Sequence, residues 1–292
     1  MIFIFRLLSY LPLPWLHRLG VVVGWLSWLF SPTYRHHMRE NMVQALGEEG
    51  YRLARNSAIA HAGKTSLELP KIWLRPHEEV ASRVVKISGW ELVETARHDG
   101  KGIVFVTGHL GCFEMAAQYL STRIPVTVLY RPPKRSWMQA LVESGRVRGE
   151  QLRIAATDLA GVKTLMKALK RGEPIGLLSD QAPRNGEGCW LNFFGRPAYT
   201  MTLAARFSAL DVDIIMVYAE RLPRGTGYHL HMQAPARTIT GTTEERAQQI
   251  NHEIERMIRQ CPEQYLWGYN RYKCPRGAGV PPDTVTTNTA NR

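Results

Sequence analysis

The sequence predicts an α/β fold: a single domain with a central mixed sheet flanked by helices, preceded by an N-terminal hydrophobic membrane anchor. Two observations carry this prediction. Short apolar runs rich in β-branched residues alternate along the chain with segments of helical periodicity, which is typical of a sheet covered by helices. The first 30 residues are strongly apolar and aromatic. We therefore divide the 292 residues into an anchor over 1–34, a main domain over 35–275 and a disordered tail over 276–292.

The anchor segment is apolar but interrupted. Arg6 and two prolines break it, and its longest charge-free stretch, 19–34, is shorter than the roughly 20 apolar residues that span a bilayer. We expect a segment that embeds in the membrane or spans it marginally; the alternative is a buried pair of core helices. If the segment spans, the basic run that begins at Arg35 leaves the main domain in the cytoplasm. No small-x-small cleavage site follows the apolar run, which argues against a signal peptide.

The elements of the main domain follow from start and stop signals. Ser31 is a helix N-cap followed by Pro32, and Gly47 is a stop signal. Thr242 and Glu245 form a capping box that begins a long amphipathic helix ending at Gln260. Further helices are predicted over 50–70, 90–98, 113–122, 135–148, 159–171 and 200–210, and strands over 102–107, 124–130, 152–156, 174–179, 212–220 and 228–233.

The segment from Gly108 to Glu114 is the strongest chemical signal in the chain. It follows a buried strand and precedes a helix, so it forms a glycine-rich turn of the kind that presents catalytic groups. With His109 in the turn, Glu114 can reach back to it from the first helical turn. A neutral histidine can take a proton from an attacking hydroxyl while a carboxylate fixes its tautomer. On spacing alone, a histidine at a strand end beside an unrelated glutamate is favoured, because about one such match is expected by chance.

Other segments change that balance. The His109 turn resembles the His-x4-Asp/Glu block of membrane acyltransferases, and later segments resemble the lauroyl/myristoyl transferase family of lipid A biosynthesis in Gram-negative bacteria. These segments are Val128 to Pro132 (its Tyr-Arg-Pro block), Gly176 to Gln181 and Phe193 to Ala198 (its Asp-Gln and Phe-Phe-Gly blocks), and Pro262 to Trp267 (its C-terminal signature). The run from Gly268 to Lys273 departs from the His-Arg-Arg run of many members.

The resemblance implies a glycerol-3-phosphate acyltransferase-like fold and an O-acyltransferase. The donor would be an acyl carrier protein thioester, or acyl-CoA, and the acceptor a hydroxyl of a lipid A precursor; no metal or organic cofactor is implied. His109 would be the general base, Glu114 would hold its other ring nitrogen, and backbone amides at Gly111 would bind the oxyanion. The expected substrate-binding residues are Arg131, whose alternative is a surface salt bridge, and Asp180 with Gln181, whose alternative is a structural turn.

The charge is consistent with a protein of the bacterial inner membrane whose catalytic domain faces the cytoplasm. The formal net charge of +12 suits an anionic membrane surface and an acidic carrier protein. Nucleic acid is not an expected partner, because no zinc-finger spacing or RNP-like aromatic block is present. Two functional alternatives stay open. One is an acyltransferase acting on another phospholipid or glycolipid, and the other is a non-enzymatic basic membrane or nucleic-acid-binding protein.

Three further residues have a simple interpretation. Cys112 lies inside the motif, and we expect a buried thiol rather than a nucleophile. His229 and His231 alternate onto one face of a predicted strand, where they could bind a metal. No third ligand stands at a suggestive spacing, so the sequence favours no metal site.

Overall fold

The computed structural model describes residues 2–130, 139, 142, 145, 151–279 and 281–282. These residues form a single α/β domain around a seven-stranded mixed sheet with the order β1-β9-β8-β2-β5-β3-β4. Within this sheet, all neighbouring strands pair in parallel except β8 and β9, and β6 and β7 form a separate antiparallel pair. The strands are β1 (Val84–Ser88), β2 (Gly102–Thr107), β3 (Val126–Tyr130), β4 (Leu152–Ala156), β5 (Ile175–Leu178), β6 (Gly188–Phe193), β7 (Arg196–Met201), β8 (Val212–Arg221) and β9 (Tyr228–Gln233).

Helices cover the sheet, and a long helical segment joins it to the N-terminus. The helices are α1 (Ile2–Tyr10), α2 (Leu13–Phe30), α3 (Pro32–Leu74), α4 (His77–Ala81), α5 (Trp90–His98), α6 (Phe113–Leu120), α7 (Leu159–Lys170), α8 (Leu203–Phe207) and α9 (Thr243–Gln260). Short 3₁₀ turns lie at Pro223–Gly225 and Pro262–Gln264.

The central strand β2 has both faces in the core. All six of its residues are buried, which is expected of a parallel strand covered by helices on both sides. Val104 and Val106 belong to one hydrophobic cluster, and Ile103 and Phe105 belong to the other. Because side chains alternate across a strand, β2 separates the two halves of the core and is a rigid support for the turn that follows it.

The N-terminal helices pack on α3 through glycines. A Cβ on Gly63 of α3 would lie 1.9 Å from the carbonyl oxygen of Gly20, and one on Gly24 would lie 2.1 Å from the carbonyl oxygen of Ile59. Among the described residues, no helix is long and apolar enough to cross a membrane. The outer faces of α1 and α2 still expose large apolar side chains, namely Phe3, Ile4, Leu7, Tyr10, Trp15, Leu19, Val22, Val23, Leu26, Leu29 and Phe30.

Most predicted elements are confirmed, several of them to the residue. The Ser31 hydroxyl caps α3 by accepting from the Tyr34 amide at 3.3 Å, and the backbone at Gly47 leaves the helical region with φ 73° and ψ 174°. The Thr242 capping box begins α9 as expected. The helix predicted over 135–148 lies outside the described residues except for Gln139, Val142 and Gly145.

The sequence analysis missed the β6–β7 hairpin. The helix predicted over 200–210 is shorter, because residues up to Met201 belong to β7. The hairpin turn has φ 49° at Phe194 and φ 74° at Gly195, the pair of positive values that a two-residue type I′ turn requires. A phenylalanine is unusual there, and its backbone is held on both sides. The Phe194 amide donates to Glu255 at 2.7 Å, and its carbonyl accepts from the Gln44 side chain at 2.7 Å.

Candidate active site

His109 and Asp180 meet because the strands before them are neighbours. In the β2–β5 ladder, Thr107 lies opposite Leu178, and the Ser179 amide extends the pairing by donating to the Thr107 carbonyl at 3.0 Å. His109 and Asp180 are each two residues beyond the paired positions. Parallel strands that end together place their next residues at one edge, which is where open α/β sheets bind ligands.

Asp180 contacts His109 through both carboxylate oxygens. Its Oδ1 lies 2.8 Å from the His109 Nδ1, and its Oδ2 accepts from the His109 backbone amide at 2.9 Å. Asp180 is almost fully buried, while the His109 side chain is 18% exposed. Since an ionised carboxylate only accepts, Nδ1 carries the ring proton and donates it to Oδ1. The histidine is therefore fixed in one tautomer and one orientation.

Gln181 lies on the other side of the ring. Its side-chain Nε2 lies 3.2 Å from the His109 Nε2, and an amide NH₂ donates to an unprotonated ring nitrogen. Nε2 is therefore unprotonated, as a general base requires, and its lone pair accepts from Gln181. The Phe113 ring packs beside the imidazole with its centre 4.9 Å from the imidazole centre. The sequence predicted Gln181 as a site residue, and the structure brings it directly to His109.

The environment keeps Asp180 ionised. Burial by itself would raise its pKa, but the charge of His109 and hydrogen bonds from its ring and backbone oppose this, together with a hydrogen bond from Tyr265. The balance holds the pKa of Asp180 below its ordinary value. Tyr265 is also buried, and the negative charge of Asp180 contributes to a pKa well above that of an ordinary tyrosine. The site thus has a fixed negative charge behind the imidazole.

The predicted pairing of His109 with Glu114 requires correction. Asp180, not Glu114, occupies the Nδ1 side of the ring, and Gln181 occupies the Nε2 side. Glu114 is buried in the first turn of α6, where its Oε2 accepts from the Trp73 indole nitrogen at 3.4 Å. The physical reason is the sheet register, which brings the Asp180 carboxylate to the ring from a neighbouring strand. Glu114 still lines the same cavity as His109.

The cavity in front of His109 lies at the carboxyl ends of the parallel strands. Its volume is about 300 Å³, within the range of ligand-binding clefts. Both polar and apolar side chains line it. The additional lining residues include Val128, Leu129, Leu152, Leu178, Met201, Tyr269 and Lys273.

Comparison with known proteins identifies the family to which the chain belongs. The family described as bacterial lipid A biosynthesis acyltransferase matches residues 1–274. The chain belongs to this family. It is 28% identical over 283 residues to a lipid A biosynthesis lauroyltransferase of Escherichia coli, covering 93% of this chain and 89% of that protein.

Two further relatives match over a similar length of the chain. A lipid A biosynthesis palmitoleoyltransferase of Escherichia coli is 24% identical over 272 residues, covering 90% of this chain and 86% of the relative. A lipid A biosynthesis acyltransferase of Haemophilus influenzae is 24% identical over 280 residues, covering 92% and 88%. The protein is therefore an acyltransferase, and its family acts in lipid A biosynthesis.

In the acyltransferase, three backbone–backbone hydrogen bonds to other segments hold residues 108–112, here called the histidine loop, in addition to the bond from the His109 amide to Asp180. The Gly111 amide donates to the Gln264 carbonyl at 3.0 Å, the Cys112 amide donates to the Ala219 carbonyl at 2.8 Å, and the His109 carbonyl accepts from the Leu266 amide at 3.0 Å. The predicted oxyanion role of the Gly111 amide is therefore wrong, because that donor is already used. Gly111 has φ 59°, and a Cβ there would lie 2.1 Å from the Ala219 oxygen, so its role is structural.

A buried ion pair also supports the histidine loop of the acyltransferase. The Arg221 guanidinium donates to the Gly111 carbonyl at 2.9 Å and forms several hydrogen bonds with Glu68 on α3. Both side chains are almost fully buried. Tyr228 donates to the same carboxylate at 3.0 Å, and His17 of α2 lies 3.4 Å from it. The pKa of Glu68 lies below its ordinary value, because the charge of Arg221 and these hydrogen bonds outweigh the effect of burial.

Sequence reasoning missed Glu68, Arg221 and the Tyr265 contact to Asp180. Glu68 and Arg221 lie in a helix and at a strand end with no motif around them, so no local signal identifies them. Tyr265 is part of the C-terminal signature, which the sequence analysis noted without assigning it a contact. Arg131, predicted as a substrate-binding residue, lies outside the described residues.

Proposed function

We propose that this acyltransferase moves a fatty acyl chain from an acyl carrier protein thioester to a hydroxyl group of a lipid A precursor. Family membership supports the reaction class and the lipid A assignment. The single observation that carries the mechanism is the state of His109. Its Nδ1 side is held by Asp180, and its Nε2 keeps a lone pair at the wall of the cavity.

The transfer is direct and needs one base. The acceptor hydroxyl takes the place of the Gln181 amide at the His109 Nε2 and gives its proton to that nitrogen as its oxygen attacks the thioester carbonyl carbon. The Asp180 carboxylate stabilises the imidazolium that forms. The carbon–sulfur bond then breaks, and the imidazolium returns the proton to the leaving thiolate. The products are the new ester and the free carrier thiol, and the enzyme is unchanged.

The surroundings of Cys112 support direct transfer over an acyl-enzyme. Its thiol is 1% exposed and belongs to the core cluster beneath α6. Burial and the nearby Glu68 carboxylate raise its pKa well above that of an ordinary thiol. A thiol must ionise to act as a nucleophile, and both effects oppose ionisation.

Positively charged side chains support the binding of the acyl carrier protein and of the lipid A precursor. Lys163, Lys167 and Lys170 are exposed along α7, whose neighbour strand β4 contributes Leu152 to the cavity. An acidic carrier protein can dock on such a face. Lys273 at the cavity wall provides a cation for a phosphorylated acceptor. Glu114, on the same wall, has the position to orient the acceptor hydroxyl.

The exposed apolar faces of α1 and α2 support attachment to the inner membrane, with the catalytic domain on the cytoplasmic side. Flotation with anionic vesicles tests this. Replacing Leu7 and Phe30 with serine should release the protein at high salt, because salt removes the remaining electrostatic attraction. Leu159→Ser, at an equally exposed position on α7, is the matched control and should float like the wild type. Equal flotation of all variants would contradict the assignment.

Purified protein, acyl carrier protein thioester and a lipid A precursor provide the test of function. The mass of the acceptor should increase by one acyl chain. His109→Ala should lower the rate at least about 100-fold without loss of fold, the scale expected for removing a general base. Acylation of an added phospholipid or glycolipid in place of the lipid A precursor would assign another acceptor. Full activity of His109→Ala would exclude the base mechanism.

A further inference from the structure

A second histidine–carboxylate group lies on the face of the sheet where β8 and β9 pair. His229 and His231 alternate onto one face of β9, as the sequence predicted, and the antiparallel ladder places Glu220 directly opposite His229. Tyr218 lies opposite His231 on the same face. The missing third ligand is therefore supplied by strand pairing, which residue spacing along the chain does not show.

The three side chains converge. The Glu220 Oε2 lies 2.8 Å from the His231 Nε2 and 3.8 Å from the His229 Nδ1. One ligand atom from each residue can be chosen so that all three lie within 4.8 Å of one another. Ligand atoms of a tetrahedral zinc site lie roughly 3.3 Å apart, given zinc–ligand bonds near 2.0–2.1 Å. Small side-chain rotations therefore bring these atoms to coordinating distance.

Neighbouring residues orient both rings. The Ser88 hydroxyl on β1 lies 2.8 Å from the His229 Nε2, so the Nδ1 of that ring is directed at Glu220. The Tyr218 ring stacks on His231 with centres 4.5 Å apart and planes 7° apart. Metal-binding histidines are held in this way, with the second ring nitrogen bonded to another group. A site on two paired strands is also rigid.

The two imidazoles are packed together beside the carboxylate. His229 is almost fully buried, and its ring centre lies 3.6 Å from that of His231. A neutral imidazole can coordinate a cation, whereas a protonated one cannot. On metal binding, the His231 proton is carried by Nδ1, which leaves Nε2 free to coordinate.

We propose that Glu220, His229 and His231 bind a divalent transition-metal ion, with Zn²⁺ the best match to two imidazoles and one carboxylate. The site is distinct from the His109 cavity. Its role is structural: the ion fastens β9 to β8, the strand whose Ala219 and Arg221 hold the histidine loop. The proposal is independent of the acyl acceptor and donor.

A second cluster on α3, formed by His36, His37 and Glu40, provides the internal control. Its ligand atoms are equally close, but His36 is 72% exposed and the Glu40 carboxylate is held by Arg196 at 2.6 Å. Its histidines are thus more exposed than those of the strand cluster, and its carboxylate is paired with an arginine. Replacing His36 and His37 with glutamine should leave metal binding unchanged.

The experiment uses full-length, untagged protein stripped with a chelator. Equilibrium dialysis with Zn²⁺ should give one tightly bound ion per chain, and Co²⁺ should produce visible absorption bands of a low-symmetry site. His229→Gln and His231→Gln should abolish this binding, and Zn²⁺ should raise the melting temperature of the wild type but not of these variants. Ser88→Ala should weaken the affinity about 10- to 100-fold, the usual cost of losing an orienting partner.

Several outcomes would overturn the proposal. The first is the absence of a tightly bound zinc ion in the wild type. The second is the persistence of this bound ion in His229→Gln and His231→Gln. The third is its loss in the control variant in which His36 and His37 are replaced. If either histidine variant is unfolded by circular dichroism, Ser88→Ala and Glu220→Gln keep both rings and decide the question. Unchanged affinity in both of those variants would show that Glu220 is only the hydrogen-bond partner of His231.

Discussion

Asp180 and Glu68 are two buried carboxylates that support the same histidine loop at different points. Asp180 contacts the imidazole and the amide of His109 directly. Glu68 lies beside the Cys112 thiol and supports the loop backbone through Arg221, which donates to the Gly111 carbonyl. One carboxylate therefore sets the chemical state of the ring, and the other holds the path of the backbone.

The difference lies in what remains when each charge is lost. Asp180 faces a histidine that is partly open to the cavity and can be rehydrated. Glu68 faces a guanidinium that is fully enclosed, and removing one partner of a buried ion pair leaves the other charged and unpaired. Substitution of Asp180 should thus affect catalysis first, whereas substitution of Glu68 should affect stability first.

Asp180→Asn should give the largest loss of activity, about 10²- to 10⁴-fold in kcat. The asparagine oxygen can still accept from the His109 amide, which leaves its NH₂ group facing Nδ1. That nitrogen must then accept, so the ring proton moves to Nε2 and the base is lost. Single-turnover rates measure the effect, and the unfolding midpoint should fall less than in Glu68→Gln.

Two further variants test whether the loss of activity is specific to Asp180. Asp213→Asn, at a half-exposed ion pair with Lys101, should behave as wild type. Glu114→Gln should cost less than Asp180→Asn, below about 100-fold, because Glu114 does not hold the ring. A larger loss for Glu114→Gln than for Asp180→Asn would reverse the roles assigned to the two carboxylates.

Glu68→Gln should lower the free energy of unfolding by about 3–5 kcal/mol, the usual cost of leaving a buried charge unpaired. Glu48→Gln is the matched control on the same helix, since Glu48 pairs with Arg39 in solvent and should contribute less than about 1 kcal/mol. Urea unfolding measures both. Equal stability of the two variants would show that the buried pair does not hold the fold.

The same carboxylates predict the response to acid. The pKa values of Asp180 and Glu68 are lower in the folded protein than in the unfolded chain. Their stabilising contributions are therefore complete above the unfolded values, near pH 4, and are lost as the pH falls through the lower folded values. Urea unfolding from pH 7 downward should show stability falling as the medium becomes acidic. The fall should be shallower in Glu68→Gln, and identical slopes would argue against a lowered pKa.

The sequence predicted the two strands that carry the site but not their adjacency. Strands β2 and β5 were predicted within one residue of their observed ends, and His109, Asp180 and Gln181 were all selected. Asp180 was not assigned to His109, because β5 pairs with β2 only through a long-range crossover that local patterns do not encode. Proximity along the chain instead predicts Glu114, the nearest carboxylate, as the partner of His109.

The smallest expected effect is that of Cys112→Ala. This variant shows whether the thiol only packs in the core beneath the histidine loop or takes part in the reaction. The thiol is buried in the core beside Glu68, so its loss should remove packing and cost about 1 kcal/mol of stability, while most activity remains. Urea unfolding and acyl transfer measured on one preparation test both parts. An inactive but folded Cys112→Ala enzyme, together with labelled acyl chain trapped on Cys112 of the wild type, would establish a covalent intermediate. His109 would then serve to activate that thiol, and Asp180 would orient the base for a different proton.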